Sequence, residues 1–291
     1  MTKRKEDRRY CLITGASRGL GNALAKCFWA DGWSLVLVGR SRDGLTNVVN
    51  DLGSRSDQTI DLILQDFAQP NASSEVVVEA RRMVPRLNAL INNAAIQGAI
   101  GPLWENSWQE WEETIQVDLF APVRLCRAVA PWMIETGTGS IINLSGGGAT
   151  APRVNFSAYA TAKAGLVRFS ETIAEELKPH HIRVNCVAPG VMGTAMLEAV
   201  IAKGEQAVGE HEYSVARKAL TEDGGASMQK ATELCLFLAS ERSIGITGKL
   251  ISAVWDSWEK WPAHLDQLAP SDVYTLRRIA GRDRGFAWGD K

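Results

Sequence analysis

Short apolar segments alternate with segments of helical length along most of the chain. Six such runs, each followed by a helix-length stretch, are YCLIT, WSLVLVG, IDLILQD, LNALINN, GSIINLS and IRVNCVAP. The alternation predicts repeated βαβ units, and hence an α/β protein whose parallel sheet is covered by helices on both faces. A further short strand is expected at GKLISAV, after a helix around QKATELCLFLAS.

Two parts of the chain fall outside this alternation. The stretch from Met196 to Met228 is polar, punctuated by glycine and without an evident strand, so it is either a mobile lid or a surface excursion. The segment from Trp255 to Lys291 is rich in tryptophan and charge. We therefore expect one domain over residues 1–254, with a lid at about 195–228, and a C-terminal extension over 255–291. This extension is expected to pack on the same domain or on a neighbouring subunit.

The composition narrows the classes of partner. Thirty-two basic and 33 acidic residues leave a formal charge of −1, so no general attraction to nucleic acid or to an acidic membrane is expected. The five cysteines and four histidines show no metal-ligand spacing, and the cysteines are expected to be reduced thiols of a cytoplasmic protein. The basic N-terminus precedes only a strand-length apolar run, which fits neither a signal peptide nor a membrane span.

A glycine-rich turn links the first predicted strand to the first predicted helix. Gly15, Gly19 and Gly21 in CLITGASRGLG permit a tight turn and close approach of the backbone to a pyrophosphate. Free amides at the start of the helix attract negative charge. Placed between strand and helix at the front of a βαβ repeat, the turn predicts dinucleotide binding rather than a tight turn alone.

The end of the second strand indicates which dinucleotide is bound. An acidic residue there would hold the ribose hydroxyls and repel a 2′-phosphate, but this chain has Gly39 followed by Arg40. Arg18 in the first turn adds a second cation, so NADP(H) is expected and NAD(H) is the less favoured cofactor. The alternative is that both arginines are solvated surface charges. Asp66 and Asn92, at the ends of the third and fourth strands, are either on the adenine side or simple strand-end caps.

A tyrosine and a lysine four residues apart are the candidate proton-transfer pair. Tyr159 and Lys163 lie on one face of a predicted helix that starts near Ser157. Reduction of a ketone needs an acid that can deliver a proton, and a nearby ammonium lowers the pKa of a tyrosine from its ordinary value near ~10. The structural alternative is a solvent-facing pair.

Five ordered motifs make the chain resemble the short-chain dehydrogenase/reductase family between about Tyr10 and Gly248. TGASRGLG is similar to that family's TGxxxGxG, NNAA to its NNAG, Tyr159 to Lys163 to its YxxxK, APGVMGT to its PGxxxT, and Thr247-Gly248 precedes the last strand. The resemblance implies a single-domain Rossmann fold with a doubly wound, seven-stranded parallel sheet, and hydride transfer between a carbinol and a carbonyl. Together with the turn and the strand ends described above, it predicts these cofactor-binding residues: Gly15, Ser17, Arg18, Gly19, Leu20, Gly21, Arg40, Ser41, Asp66, Asn92, Ala94, Lys163, Pro189, Gly190 and Thr194.

Two positions depart from the family pattern. The family serine that binds the substrate oxygen stands thirteen residues before the tyrosine, where this chain has Gly146; Ser145 is one residue out of register. A bulge in the following glycines could aim Ser145 at the substrate, or a backbone amide or lid residue could take over its role. Asp118 occupies the place of the family's relay asparagine. Because Pro122 has no N–H, the Asp118 carbonyl could stay free for the relay; otherwise Pro122 only kinks the helix.

The tryptophans form two groups, one before the helix of Asp118 and one after the last strand. Their spacing indicates packing, but Trp255 and Trp258 could instead form a wall of a sugar or aminocyclitol pocket.

The sequence thus predicts an NADP(H)-dependent oxidoreductase that interconverts a ketone and a secondary alcohol on a polar small molecule. Alternatives are an epimerase or dehydratase with retained cofactor and a non-catalytic NADP(H) sensor. The chain is expected to form a homodimer or homotetramer.

Overall fold

Seven parallel strands form one sheet in the computed structural model, which describes residues 5–221, 225–286 and 288. The order across the sheet is β3-β2-β1-β4-β5-β6-β7, which confirms the predicted doubly wound fold. The order reverses between β1 and β4, and at such a point ligands bind outside the carboxyl ends of the strands. The strands are β1 (Tyr10–Thr14), β2 (Ser34–Gly39), β3 (Ile60–Leu64), β4 (Ala89–Asn92), β5 (Gly139–Leu144), β6 (Ile182–Ala188) and β7 (Leu250–Ser252).

Helices cover both faces of the sheet. The α-helices are α1 (Gly19–Ala30), α2 (Arg42–Leu52), α3 (Ala72–Met83), α4 (Trp108–Ile115), α5 (Ala121–Thr136), α6 (Ser157–Leu177), α7 (Ala195–Ala202), α8 (Glu205–Val208), α9 (Glu210–Thr221), α10 (Met228–Ala239) and α11 (Leu265–Leu268). A π-helix occupies Gln116–Phe120, and 3₁₀ segments occupy Lys5–Asp7, Lys178–His180, Glu241–Ser243, Trp258–His264 and Gly281–Arg284.

Successive side chains of the buried strands point to opposite faces of the sheet and so contribute to two separate hydrophobic cores. In β1, Cys11 and Ile13 join the core under α1, α2 and α10, while Tyr10 and Leu12 join the core under α3, α5 and α6. Each fully buried large apolar side chain stabilises the fold by about 1.5–3 kcal/mol relative to exposure. The two cores hold the strands rigidly, so that the loops at their carboxyl ends share one crevice.

The described part of the C-terminal extension packs on the same chain. Trp258 and Trp261 are buried in the core that contains α10, and the Trp258 ring lies 5.2 Å from that of Phe237. The Leu250 amide donates to the Tyr274 carbonyl at 2.8 Å, which ties the extension to β7. Among the described residues there is neither a helix long and apolar enough to span a membrane nor a cluster of three potential metal ligands.

Candidate functional site

A cavity of about 780 Å³ lies in the crevice at the carboxyl ends of the strands. Its walls are the loops after the six strands β1 to β6, together with α6, α7 and α9. Most of the residues predicted for cofactor binding and catalysis line it. The predicted residues in its wall are Gly15, Ser17, Arg18, Gly19, Leu20, Gly21, Arg40, Ser41, Asp66, Ala94, Ser145, Tyr159, Lys163, Pro189, Gly190 and Thr194.

The glycine turn after β1 is shaped for close backbone approach. Gly15 has φ of +65°, and a Cβ there would lie 2.9 Å from the Ala94 Cα. A Cβ at Gly21 would lie 2.1 Å from the Gly15 carbonyl oxygen, so a side chain there would break the turn. Helix α1 begins without a side-chain cap on its first amides. These unsatisfied amides and the bare turn fit a pyrophosphate group.

The end of β2 carries the residues expected at the nucleotide ribose. The Arg40 side chain is 56% exposed, and its Nη1 lies 3.8 Å from the Asp66 carboxylate. Ser41 caps α2, since its hydroxyl accepts a hydrogen bond from the Gly44 amide at 3.0 Å. Asp66 also accepts from the Ala68 amide at 3.0 Å. Arg40 is therefore held loosely at the cavity wall by one carboxylate.

Asn92 does not line the cavity, contrary to the role implied by the resemblance. It is buried, and its side-chain amide donates to the side-chain oxygen Oδ1 of Asn143 on β5 at 2.7 Å. The reason is alternation along β4, which turns position 92 into the sheet interior and leaves the next residues at the cavity. Sequence reasoning missed Asn93, which lines the cavity and whose side-chain amide donates to the Thr14 carbonyl at 2.9 Å and so holds the glycine turn.

Tyr159 and Lys163 lie one turn apart on α6, which begins at Ser157. The Lys163 ammonium is 5.4 Å from the centre of the Tyr159 ring and donates to the Leu144 carbonyl at 3.1 Å. Both side chains are buried. Burial raises the pKa of Tyr159, and Asp118 raises it further, while Lys163 and Arg153 oppose the shift. Lys163 thus lowers the pKa as predicted, but desolvation outweighs the ammonium and the pKa is raised overall.

Position 146, and not position 145, faces the tyrosine hydroxyl. A Cβ on Gly146 would lie 2.3 Å from the Tyr159 Oη, so the phenol occupies the space that a serine would need. The Ser145 amide donates to the Val187 carbonyl at 2.8 Å, which continues the regular β5–β6 ladder. No bulge precedes Ser145, and its buried hydroxyl has no hydrogen-bond partner within the described residues. Its role in polarising the carbonyl stays a prediction.

Asp118 lies behind Lys163 in the π-helix that precedes α5, outside the cavity wall. One carboxylate oxygen accepts from the Ile96 amide at 2.9 Å, and the other lies 3.5 Å from the Lys163 ammonium. Asp118 has no exposed surface, and burial raises its pKa to about 6 against the opposing effect of Lys163. Pro122 stands at the start of α5, directly after the widened turn. The side chain of Asp118, and not only its main-chain carbonyl, therefore contacts Lys163 of the candidate proton-transfer pair.

An ion pair across the cavity was not foreseen. Arg153, in the loop before α6, donates through Nε to the Glu212 carboxylate on α9 at 2.9 Å. The guanidinium stacks 3.8 Å from the centre of the Phe156 ring and lies 5.5 Å from that of Tyr159. The partners are 59 positions apart in sequence. No local pattern connects them, so only the tertiary packing of α9 brings the two together.

The tryptophans of the extension do not form a cavity wall. Trp258 is buried against Phe237, and Trp255 is 86% exposed; neither lines the cavity. The reason is that the chain turns away after β7 and packs over α10. The packing alternative is the correct one for Trp258.

Comparison with known proteins gives consistent matches. A family model described as short chain dehydrogenase matches residues 9–205. The 3-oxoacyl-[acyl-carrier-protein] reductase of Thermotoga maritima is 30% identical over 244 residues, covering 84% of this chain and 95% of that protein. The crystal structure of YwfH, an NADPH-dependent reductase involved in bacilysin biosynthesis, aligns with a TM-score of 0.76 at 25% identity, covering 85% and 97% of the two chains. The structure of NAD⁺-bound xylitol dehydrogenase aligns at 0.73 with 23% identity, covering 84% and 96%.

Proposed function

We propose that this chain, which belongs to the short-chain dehydrogenase/reductase family, uses NADP(H) to interconvert a ketone and a secondary alcohol on a polar small molecule. That it is an NAD(P)-dependent oxidoreductase of this family follows from the matches. The observation that supports the finer proposal is one continuous cleft. It carries an uncapped helix start and two arginines at one end and the Tyr159–Lys163 pair at the other.

The residues of the cleft fit a nicotinamide dinucleotide. The glycine turn and the first amides of α1 would hold its pyrophosphate, Arg18 and Arg40 its ribose phosphate, and Pro189 and Gly190 would border its nicotinamide. When bound, this cofactor supplies the hydride and accepts it back in the reverse direction.

Proton transfer falls to the side chains of α6. As charge develops on the substrate oxygen, the Tyr159 phenol donates its proton to that oxygen, and in the reverse direction the phenolate takes the proton back. The ammonium of Lys163 stabilises the phenolate and is itself fixed by the Leu144 carbonyl and Asp118. We assign polarisation of the substrate carbonyl to the Ser145 hydroxyl, which is buried and has no hydrogen-bond partner among the described residues. Ser145→Ala is expected to lower kcat on the order of a hundredfold, and a change below a few-fold would transfer the role to the amides of the glycine run.

The preference for NADP(H) rests on the residues after β2. Gly39 offers no carboxylate to hold ribose hydroxyls, and Arg40 with Arg18 supplies positive charge at the cavity wall. The solved structures do not decide this point, since one similar structure is named for NADPH and another for NAD⁺.

The polar substrate is inferred from the far end of the cavity. Gln97, Arg153, His211 and Glu212 line it together with the flexible side chain of Met196. Such a mixture of donors and acceptors suits a sugar, an aminocyclitol or a related biosynthetic intermediate that presents several hydroxyl or amine groups. These cavity residues, and not the tryptophans of the extension, support this substrate class.

A homodimer or homotetramer in the cytoplasm completes the proposal. Leu103, Trp104 and Trp108 are exposed apolar side chains close together in the sequence before and at the start of α4, and such patches mark contact surfaces. The five cysteines are unpaired, as is usual in a reducing compartment. Light scattering on the purified protein tests the assembly, and a monomeric mass at micromolar concentration would contradict it.

The function is tested with purified protein and a panel of polar ketones, following the loss of NADPH absorbance. Tyr159→Phe is expected to lower turnover by about a hundredfold or more while NADPH still binds, because the ring stays and only the proton donor is lost. Unchanged turnover would contradict the mechanism. Binding without turnover on any substrate would favour a sensor, and conversion of substrate without net NADPH consumption would favour a retained-cofactor epimerase or dehydratase.

A further inference from the structure

Arg153 places a guanidinium beside the candidate proton donor. Its Cζ lies 5.5 Å from the centre of the Tyr159 ring, and the side chain lines the cavity with 13% of its surface exposed. Two neighbours restrain it: the Cζ stacks 3.8 Å from the centre of the buried Phe156 ring, and Nη1 donates to the Gln97 Oε1 at 3.4 Å. A fixed cation with little exposure to solvent therefore lies next to the place where the substrate carbonyl has to bind.

The charged side chains of the cavity wall separate into groups with different partners. Three of those in the described wall lie at the end expected to hold the nucleotide: Arg18, Arg40 and Asp66. Lys163 is engaged behind Tyr159, where its ammonium lies 3.5 Å from the Asp118 carboxylate. What remains in the substrate half of the described wall is the ion pair of Arg153 and Glu212, beside His211.

The two partners of this ion pair are held differently. Arg153 Nε donates to one Glu212 oxygen at 2.9 Å, and Nη2 lies 2.9 Å from the same oxygen. Glu212 comes from α9 and its side chain is 23% exposed, whereas Arg153 is restrained by Phe156 and Gln97. A guanidinium with so little access to water needs a counter-charge while the cavity is empty, and Glu212 supplies it. An incoming anion could take that place, because the Glu212 carboxylate can turn towards solvent.

The chemistry of arginine indicates which anion fits. The planar guanidinium carries five N–H groups in a fixed fork that matches the two oxygens of a carboxylate. With its Cζ 5.5 Å from the Tyr159 ring centre, a short molecule can contact both groups at once. Its carbonyl oxygen would accept from the phenol while its carboxylate accepts from the guanidinium.

We propose that Arg153 selects the substrate by binding a carboxylate that lies a few carbons from the reacting carbonyl and displaces Glu212 from the guanidinium. The inference rests on the proposed function, since it names the class of the polar substrate. That class is a short oxo acid in the direction of reduction and the corresponding hydroxy acid in the direction of oxidation. A neutral ketone leaves the ion pair intact and gains no contact with the cation.

The test compares three oxo acids with their methyl esters, which keep the ketone and lose the negative charge. The probes are pyruvate, acetoacetate and levulinate, whose carboxylates lie progressively farther from the ketone, and the three methyl esters. Binding is measured by calorimetric titration with NADP⁺ present, because a ketone cannot be reduced under these conditions. Turnover of the same compounds is then followed by the loss of NADPH absorbance.

Three variants and one control separate recognition from stability. Arg153→Gln removes the cation, Arg153→Lys keeps the charge without the fork, and Glu212→Gln removes the competing carboxylate. The matched control is Arg81→Gln, because Arg81 also combines a ring contact with an ion pair. Its Cζ lies 5.2 Å from the centre of the Trp132 ring and its Nη2 3.0 Å from the Glu135 carboxylate, outside the cavity wall.

At least one acid should bind to the parent about tenfold more tightly than its methyl ester. Arg153→Gln should weaken binding of that acid by about tenfold or more and change binding of the ester by less than about threefold. Arg153→Lys should fall between the two, since it lacks the bidentate geometry. Glu212→Gln should strengthen binding of the acid, because the internal competitor is gone, and Arg81→Gln should change neither affinity.

A purely structural ion pair would instead make Arg153→Gln and Glu212→Gln equally harmful, and this result would overturn the proposal. So would a parent protein that binds none of the acids more tightly than its ester, which decides the matter even if Arg153→Gln fails to fold. Turnover of the neutral ketones without a preference for acids would contradict this inference and leave the proposed function standing. Acid binding that depends on Arg153, without turnover of any ketone, would support the inference and count against the proposed function alone.

Discussion

Replacing Arg40 by glutamine tests the choice of cofactor most directly. The guanidinium lies at the cavity wall, 56% exposed and 3.8 Å from the Asp66 carboxylate. A hydrogen bond to a charged group contributes about 1.5–3 kcal/mol. Exposure and the competing Asp66 carboxylate place Arg40 at the lower end, about 1.5–2 kcal/mol. Since each 1.4 kcal/mol is about a factor of ten, Arg40→Gln should raise the Kd for NADPH about 10- to 30-fold.

The assay is a titration of each protein with NADPH and with NADH, followed by the fluorescence of the bound nicotinamide. The Kd for NADH should change less than threefold, because NADH carries no 2′-phosphate for Arg40 to contact. Arg42→Gln is the matched control, as Arg42 is the first residue of α2 and does not line the cavity. Added salt should narrow the preference of the parent for NADPH, since the contact is exposed. An unchanged Kd for NADPH, or an equal loss for both dinucleotides, would refute the reasoning from Gly39 and Arg40.

Three further changes test other parts of the structure. Gly146→Ser should lower turnover at least tenfold with NADPH binding retained, because a Cβ would lie 2.3 Å from the Tyr159 hydroxyl; higher turnover would show that a serine there is beneficial. Glu212→Gln removes the α9 side of the Arg153 ion pair, so limited proteolysis within residues 195–221 should accelerate several-fold, and an unchanged pattern would mean that the pair does not restrain this segment. Trp258→Ala should lower the free energy of unfolding by about 3 kcal/mol in urea denaturation, whereas Trp255→Ala, at an 86% exposed site, should change it by less than about 0.5 kcal/mol. Equal effects of the two tryptophan variants would contradict the packing of the extension on its own domain.

The fold could be read from local patterns because its elements depend on near neighbours. Each apolar run of strand length is bounded by glycine or polar residues, and Gly15, Gly19 and Gly21 indicate the turn after β1. The side of β4 that faces the cavity was harder to read. Successive side chains of a strand point to opposite faces, so a prediction that is one position out assigns the wrong residue to the cavity. Here Asn92 points into the interior, and Asn93 is the residue at the turn.

The spacing of residues on one helix is a property of the chain alone, and so the sequence determined that Tyr159 and Lys163 share a face of α6. It also determined the glycine turn and the absence of a carboxylate after β2. Only the tertiary structure decided which charges surround the pair, because burial and the approach of Asp118 and Arg153 come from separate segments. A pKa depends on desolvation and on distances through space, which neighbours in sequence do not set. For that reason the pKa of Tyr159 is raised overall, although Lys163 acts on it in the predicted, lowering direction.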